Sequence, residues 1–266
     1  MLVIKNPFKR NKPIVNNDIK PVAKKHESSL GWVTVWQIII TLMVVVFLIL
    51  IHPVPERLSK HLVIGSFVVS WLIIVFKLWN NYFTRAVVII ATVFIFVTYY
   101  GSNKVIVSDE LIRLSYIENL KNYENTNYMS GGENRIGIDS SGLIRRPMID
   151  TFIEMGFKTK NMQYIRMALS IWMDDYAISD IYNNYKGMYI DILKFCSICE
   201  ITDKNIKSGD ILIYDNYSQV YIYLGNNEWI EVNPHDKKTI IVSAIPALSI
   251  MREISGKVVR WKVLES

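Results

Sequence analysis

The sequence predicts an α+β architecture in two parts, N-terminal transmembrane helices followed by a domain of helices packed on an antiparallel sheet. Three observations predict it. Three apolar windows follow one another within residues 31–102. Past them, apolar residues recur at helical spacing in a more polar background. From residue 210 onward, short β-rich runs alternate with turn residues. Helices first and a meander of strands afterwards is the order of an α+β domain. The chain therefore divides into a basic tail (1–30), a membrane region of two to three helices (31–102) and a folded domain (103–266).

Composition sets the outer limits. Of 266 residues, 51% are hydrophobic and 20% charged, and the mean hydropathy is +0.21. That excludes a disordered or fibrous chain and is high for a purely soluble one. Two cysteines exclude a disulfide framework and a four-cysteine zinc site. The net charge of +6 suggests nucleic acid until it is located. The tail holds seven Lys and Arg against Asp18 and Glu27, whereas residues 101–266 hold 19 basic and 21 acidic side chains. A nucleic-acid binder concentrates its positive charge on the folded domain, so no nucleic-acid partner is expected.

The first apolar window, Gly31–Ile51, has no charge in 21 residues and is long enough to span a bilayer. The second, Leu62–Phe76, ends at Lys77, and the third runs from Ala86 to Ser102. Both are short, so a membrane hairpin and two full spans are equally good readings. A cleaved signal peptide is excluded, because the apolar stretch starts late and no small-residue cleavage site follows. The basic tail stays in the cytoplasm by the positive-inside rule. Three spans then place the domain outside, and two would return it inside. The expected location is a bacterial inner membrane, multi-pass, with the domain periplasmic or otherwise extracytoplasmic.

In the domain, Ser108–Tyr123 has helical periodicity, with Ser108 and Asp109 as caps. Residues 124–137 form an Asn/Gly-rich loop. Ser141–Met155 is helical despite Pro147, and two more helical stretches cover Met162–Ile178 and Tyr189–Cys199. Strands follow at Asp210–Tyr214, Gln219–Leu224, Glu228–Val232, Thr239–Ser243 and Lys257–Leu264. Gly225-Asn226-Asn227 is a good hairpin connection.

The segments YMSGGENRIGIDSSGLIRR (128–146) and SGDILIY…QVYIYLGNNEWIEVNP (208–234) together resemble the NlpC/p60 papain-like peptidases. That family has a Tyr-x-x-Gly-Gly loop, Asp-Cys-Ser-Gly-Leu opening a helix, Gly-Asp at a strand start, a His-Val-x-x-Tyr-x-Gly strand, and a polar third residue on the next strand. Tyr128, Gly131 and Gly132 match the loop. Asp139, Ser141, Gly142 and Leu143 surround the nucleophile position, and Gly209, Asp210, Val220, Tyr223 and Gly225 match the strands. The resemblance covers roughly residues 106–264. It implies hydrolysis of peptide bonds in cell-wall peptides, with a thiol favoured as thiolate at a helix N-terminus, a histidine as its base, and a polar group orienting that ring. No cofactor or metal is implied.

The chain departs from that pattern at both decisive positions. Ser140 stands where the family has its cysteine, Gln219 where it has its histidine, and Glu231 keeps the third position polar. Ser130 replaces the loop tryptophan. A serine without a base is a poor nucleophile, and glutamine takes no proton. The expectation is therefore a membrane-anchored pseudoenzyme that binds a peptidoglycan stem peptide or a protein partner. The alternative is an active serine-dependent hydrolase or acyltransferase, with Ser140 activated by Glu231 or by His235. A third class is an assembly protein whose important part is the membrane segment. Alternation places Gln219, Tyr221 and Tyr223 on one strand face, and Trp229, Glu231 and Asn233 on one face of the next. Tyr128, Asp139, Ser141 and Arg145 are the candidate substrate-binding residues, with Arg145 and Arg146 facing either a substrate carboxylate or solvent. Cys196-x-x-Cys199 reads as two packed thiols on an apolar helix, Asp174-Asp175 as surface, and Trp229 as core.

Overall fold

The computed structural model describes residues 31–79, 81–101, 107–196, 201, 206–233, 235–243 and 255–265. The basic tail, Cys199 and Pro234 lie outside them. Three helices come first: α1 (Trp32–Ile51), α2 (Arg57–Leu78) and α3 (Tyr82–Tyr100). All three are long and apolar enough to cross a membrane. At 20, 22 and 19 residues each reaches about 30 Å, so the short-hairpin reading gives way to three full-length helices. α2 exceeds its apolar window because it starts on the polar turn Arg57–Lys60. α3 starts four residues ahead of its window because Asn81 caps it, the Asn81 carbonyl Oδ1 accepting from Phe83 N at 3.1 Å.

The domain continues with α4 (Asp109–Lys121), α5 (Ser140–Thr159), α6 (Met162–Met173) and the short α7 (Ile178–Tyr182). Six strands follow: β1 (Tyr189–Phe195), β2 (Ile211–Tyr214), β3 (Val220–Gly225), β4 (Glu228–Asn233), β5 (Lys238–Val242) and β6 (Gly256–Trp261). They form one antiparallel sheet in the order β1-β6-β2-β3-β4-β5. The α+β expectation holds, and five of the strands lie where the turn signals put them. β1 corrects the sequence reading, which has 189–199 as a helix. Its residues pair antiparallel with β6, Tyr189 opposite Trp261 and Phe195 opposite Gly256. With the helix gone, Cys196 is an exposed residue just past a strand end rather than a packed thiol.

Alternate residues of the strands build two cores. Ile211, Ile213, Ile222, Ile230 and Val232 join Tyr116 and Leu120 of α4 and Ile144, Met148 and Phe152 of α5. Leu212, Tyr214, Tyr221, Trp229 and Val258 form a smaller cluster with Phe195. Trp229 is 7% exposed and lies 4.8 Å, ring to ring, from Tyr223, which makes it core as expected. α5 runs straight through the buried Pro147, losing one helical rung there. The Gly209-Asp210 corner is a buried joint. Asp210 accepts two hydrogen bonds from Arg260, at 2.6 and 2.8 Å, and one from Lys207 N at 2.8 Å. Tyr223 N donates to Asp210 O at 2.8 Å, so this corner ties β2, β3 and β6 together.

The domain sits directly on the helices. Glu133 N donates to Pro53 O at 2.8 Å, and Asn134 Nδ2 donates to the Ile51 and His52 carbonyls, both at 3.1 Å. Arg166 of α6 donates to Tyr99 O near the end of α3, with its guanidinium over the Tyr99 ring. Lys60 of α2 is fully buried, and its ammonium lies 3.1 Å from Glu133 Oε2. The α1–α2 connection and the last turn of α3 therefore both touch the domain.

Candidate functional site

The loop ahead of α5 is built around Asp139. One carboxylate oxygen accepts from Gly131 N at 2.9 Å. The other accepts from Gly142 N at 2.7 Å and from Ser141 Oγ at 2.8 Å. Asp139 thus caps α5 and closes the Gly131-Gly132 loop onto it in the same stroke, a use of the short acidic side chain that N-caps favour. The loop lies so close that a Cβ on Gly142 would fall 2.2 Å from Gly132 O. Gly131 itself has φ +73, a left-handed conformation that glycine adopts without penalty. Its partner strand is β5: Tyr128 N donates to Lys237 O, and Asn125 N to Thr239 O, both at 2.8 Å.

This geometry presents Ser140 as the first residue of α5, partly exposed, where the helix dipole favours negative charge. Among the described residues its Oγ makes no hydrogen bond. Tyr128 is 37% exposed and open to a ligand. Asp139 and Ser141, both candidate substrate contacts, are engaged in the cap just described.

Arg145 is neither a solvated residue nor an open carboxylate site. It is 4% exposed, bonds Glu133, donates to Asp174 O at 2.8 Å and stacks its guanidinium 4.9 Å from the Tyr176 ring centre. Glu133, two residues past Gly131, therefore holds two cations, Arg145 and Lys60 of α2. Sequence reasoning misses Glu133 and Lys60 as a pair, because 73 residues separate them. Arg146 pairs with Asp150 at 3.1 Å, and Asp174 with Lys186 at 2.7 Å.

Gln219, Tyr221 and Glu231 come together as the alternation predicts. Tyr221 sits directly opposite Glu231, and Tyr223 opposite Trp229. Tyr221 donates its hydroxyl to Gln219 Oε1 at 2.7 Å. Burial pushes the Glu231 carboxyl above its ordinary range, more than the nearby Tyr221 hydroxyl pulls it down. Burial likewise raises Tyr221, with Glu231 adding to the effect. No hydrogen bond joins Ser140 to Gln219, Glu231 or His235 among the described residues. His235 is an exposed turn residue anchored through its backbone to Asn233 Oδ1 at 2.9 Å. Nor does any cluster of three or more His, Cys, Asp or Glu side chains among the described residues suit a metal ion.

The Glu231 shift has a readable consequence. A carboxyl whose native pKa is raised favours folding in its protonated form, so its contribution is complete below the unfolded value near 4.5 and is lost as pH rises through the native one. Thermal melts of the wild type and of Glu231→Gln at about pH 4 and about pH 8 should show the wild type losing stability relative to the variant at the higher pH. A constant difference would place Glu231 in contact with water.

Comparison with known proteins gives one family. The NlpC/P60 family model matches residues 125–252. Among solved structures, the chain is similar to the crystal structure of the NlpC/p60 domain of the peptidoglycan hydrolase SagA, at 15% sequence identity. That match covers 54% of this chain and 97% of the other, with a TM-score of 0.31. No curated protein matches the chain.

Proposed function

Because residues 125–252 form an NlpC/P60 family domain, a cell-wall peptidase-like unit, we propose that this protein holds a catalytically silent member of that family at a membrane surface, where it binds a cell-wall stem peptide or a protein partner. One observation carries the reading: the position of the family's base is filled by Gln219, whose carbonyl oxygen already accepts the Tyr221 hydroxyl. Glutamine cannot take up a proton, and among the described residues Ser140 makes no hydrogen bond to a base. Glu231 is buried, which raises its carboxyl above the ordinary range, and no hydrogen bond joins it to Ser140 among the described residues. The Gln219 amide NH₂ and the Ser140 hydroxyl remain as polar groups suited to a peptide backbone.

Charge and contact support a reading of the side of the membrane. The domain touches the α1–α2 connection and the last turn of α3, so three crossings set it opposite the basic tail and the α2–α3 connection. With the tail held in the cytoplasm, the domain is extracytoplasmic, on the outer side of a bacterial cytoplasmic membrane.

The full chain in detergent, incubated with muropeptides and followed by mass spectrometry, should yield no cleaved product. It should instead bind stem peptide saturably in the millimolar range, and Gln219→Ala should weaken that binding roughly fivefold, the worth of one neutral hydrogen bond. Cleavage by the native chain, abolished in Ser140→Ala, would establish a serine-dependent hydrolase and overturn the silent reading.

A further inference from the structure

A cavity of about 450 Å³ lies where the end of α1 meets the domain. One wall is Leu50 and Ile51, the last two residues of the charge-free α1. They are 52% and 43% exposed. The lining also carries Arg135 and Arg146. We propose that this cavity binds the phosphate of an anionic membrane lipid. The proposal rests on α1 crossing a membrane and is independent of what the Ser140 region does.

The charge arrangement carries the argument. Asp150 is the single carboxylate in the lining, and both of its oxygens are engaged. Arg146 Nε donates to Oδ1 at 3.1 Å, and the Tyr123 hydroxyl donates to Oδ2 at 2.7 Å. Arg146 is thereby held by its inner nitrogen, the Tyr123 hydroxyl also bears on its guanidinium, and Asp150 is its one carboxylate partner among the described residues. Arg135 has no carboxylate partner among them. Its guanidinium lies 5.6 Å from the Tyr123 ring centre, which steadies it beside Arg146. Two planar forks next to one neutralised carboxylate leave an excess positive charge of the geometry that fits phosphate oxygens.

Position selects a lipid over a free anion. The last turn of a span lies where acyl chains give way to headgroups. Leu50 and Ile51 offer an apolar wall there, and Ile136, 51% exposed, lines the same cavity. An acyl chain can lie along α1 while its phosphate meets the arginines. Free phosphate would use only the polar half.

Native mass spectrometry of the full chain in neutral detergent tests this. With phosphatidylglycerol and phosphatidylcholine supplied in equal amounts, the wild type should retain the anionic lipid roughly tenfold more strongly, the worth of a charged hydrogen bond. Arg135→Gln, at a position with no ion pair to break, should lower that preference to near parity. Arg146→Gln should do the same while Tyr123 still holds Asp150. Equal retention of both lipids by the wild type, or an unchanged preference in both variants, would overturn the proposal. Displacement of phosphatidylglycerol by millimolar inorganic phosphate would also overturn it, in favour of a free-anion site. Release of the chain from membranes without detergent would instead overturn the anchoring on which it rests.

Discussion

Replacing Glu133 by glutamine is expected to destabilise the protein by about 3–5 kcal/mol, the cost of leaving buried charge without its partner. Glu133 is 6% exposed and stands between Lys60, at 0%, and Arg145, at 4%. The substitution keeps the shape and removes the one carboxylate the two cations share. Asp175, 3.9 Å from Arg145 and half exposed, is a weak substitute. Lys60 is left with no acidic group among the described residues. For a chain of this size the loss corresponds to a melting-temperature drop of roughly 10 °C, measurable by tryptophan fluorescence on the full chain in detergent. Because the carboxylate joins α2 to the loop ahead of Ser140, the contact of the domain with α2 should also loosen, and hydrogen exchange of Glu133 N, which donates to Pro53 O, should accelerate. The double variant Lys60→Met/Glu133→Gln should recover part of the loss, since it leaves one buried cation rather than two without the shared carboxylate. A Glu133→Gln melt within about 2 °C of wild type would mean that water reaches this cluster.

Asp210→Asn is expected to have an effect of the same order, about 3–5 kcal/mol, within the domain alone. Asp210 is fully buried and forms a two-pronged pair with Arg260. An amide there offers one acceptor where the guanidinium and Lys207 N need two, and its NH₂ would face the arginine. The affected joint sets the spacing of β2, β3 and β6, so hydrogen exchange should accelerate in Ile211–Tyr214 and Val220–Gly225 together. Arg260→Met combined with Asp210→Asn should cost less than the two single losses added. Independent, additive effects would show that the pair contributes little.

The two predictions rest on residues that the sequence treats very differently. Asp210 stands out beside Gly209 at a strand start, yet its partner lies 50 residues further on, beyond any local pattern. Lys60 looks like one more charge at the edge of a span, and Arg145 like a residue on an exposed helix turn. Only tertiary packing reveals that both converge on Glu133. The alternation of Gln219, Tyr221 and Glu231 was legible because a strand period of two leaves no freedom. The segment 189–195 was not, because Tyr189, Ile190, Leu193 and Phe195 satisfy helical and extended spacing alike, and pairing with β6 decides between them. The apolar windows revealed three helices long and apolar enough to cross a membrane but not their ends, which are set by caps and polar turns such as Asn81 and Arg57–Lys60.

The bonds from Pro53, Ile51 and His52 to residues 133 and 134, together with Arg166 on Tyr99, hold the domain at two separated points. A body fixed at two points cannot swing about its leash. The Gly131 turn rests against Val54, so the loop that leads to Ser140 stays clamped beside the α1–α2 connection, and a ligand of that edge meets a surface of fixed pose rather than a swinging head.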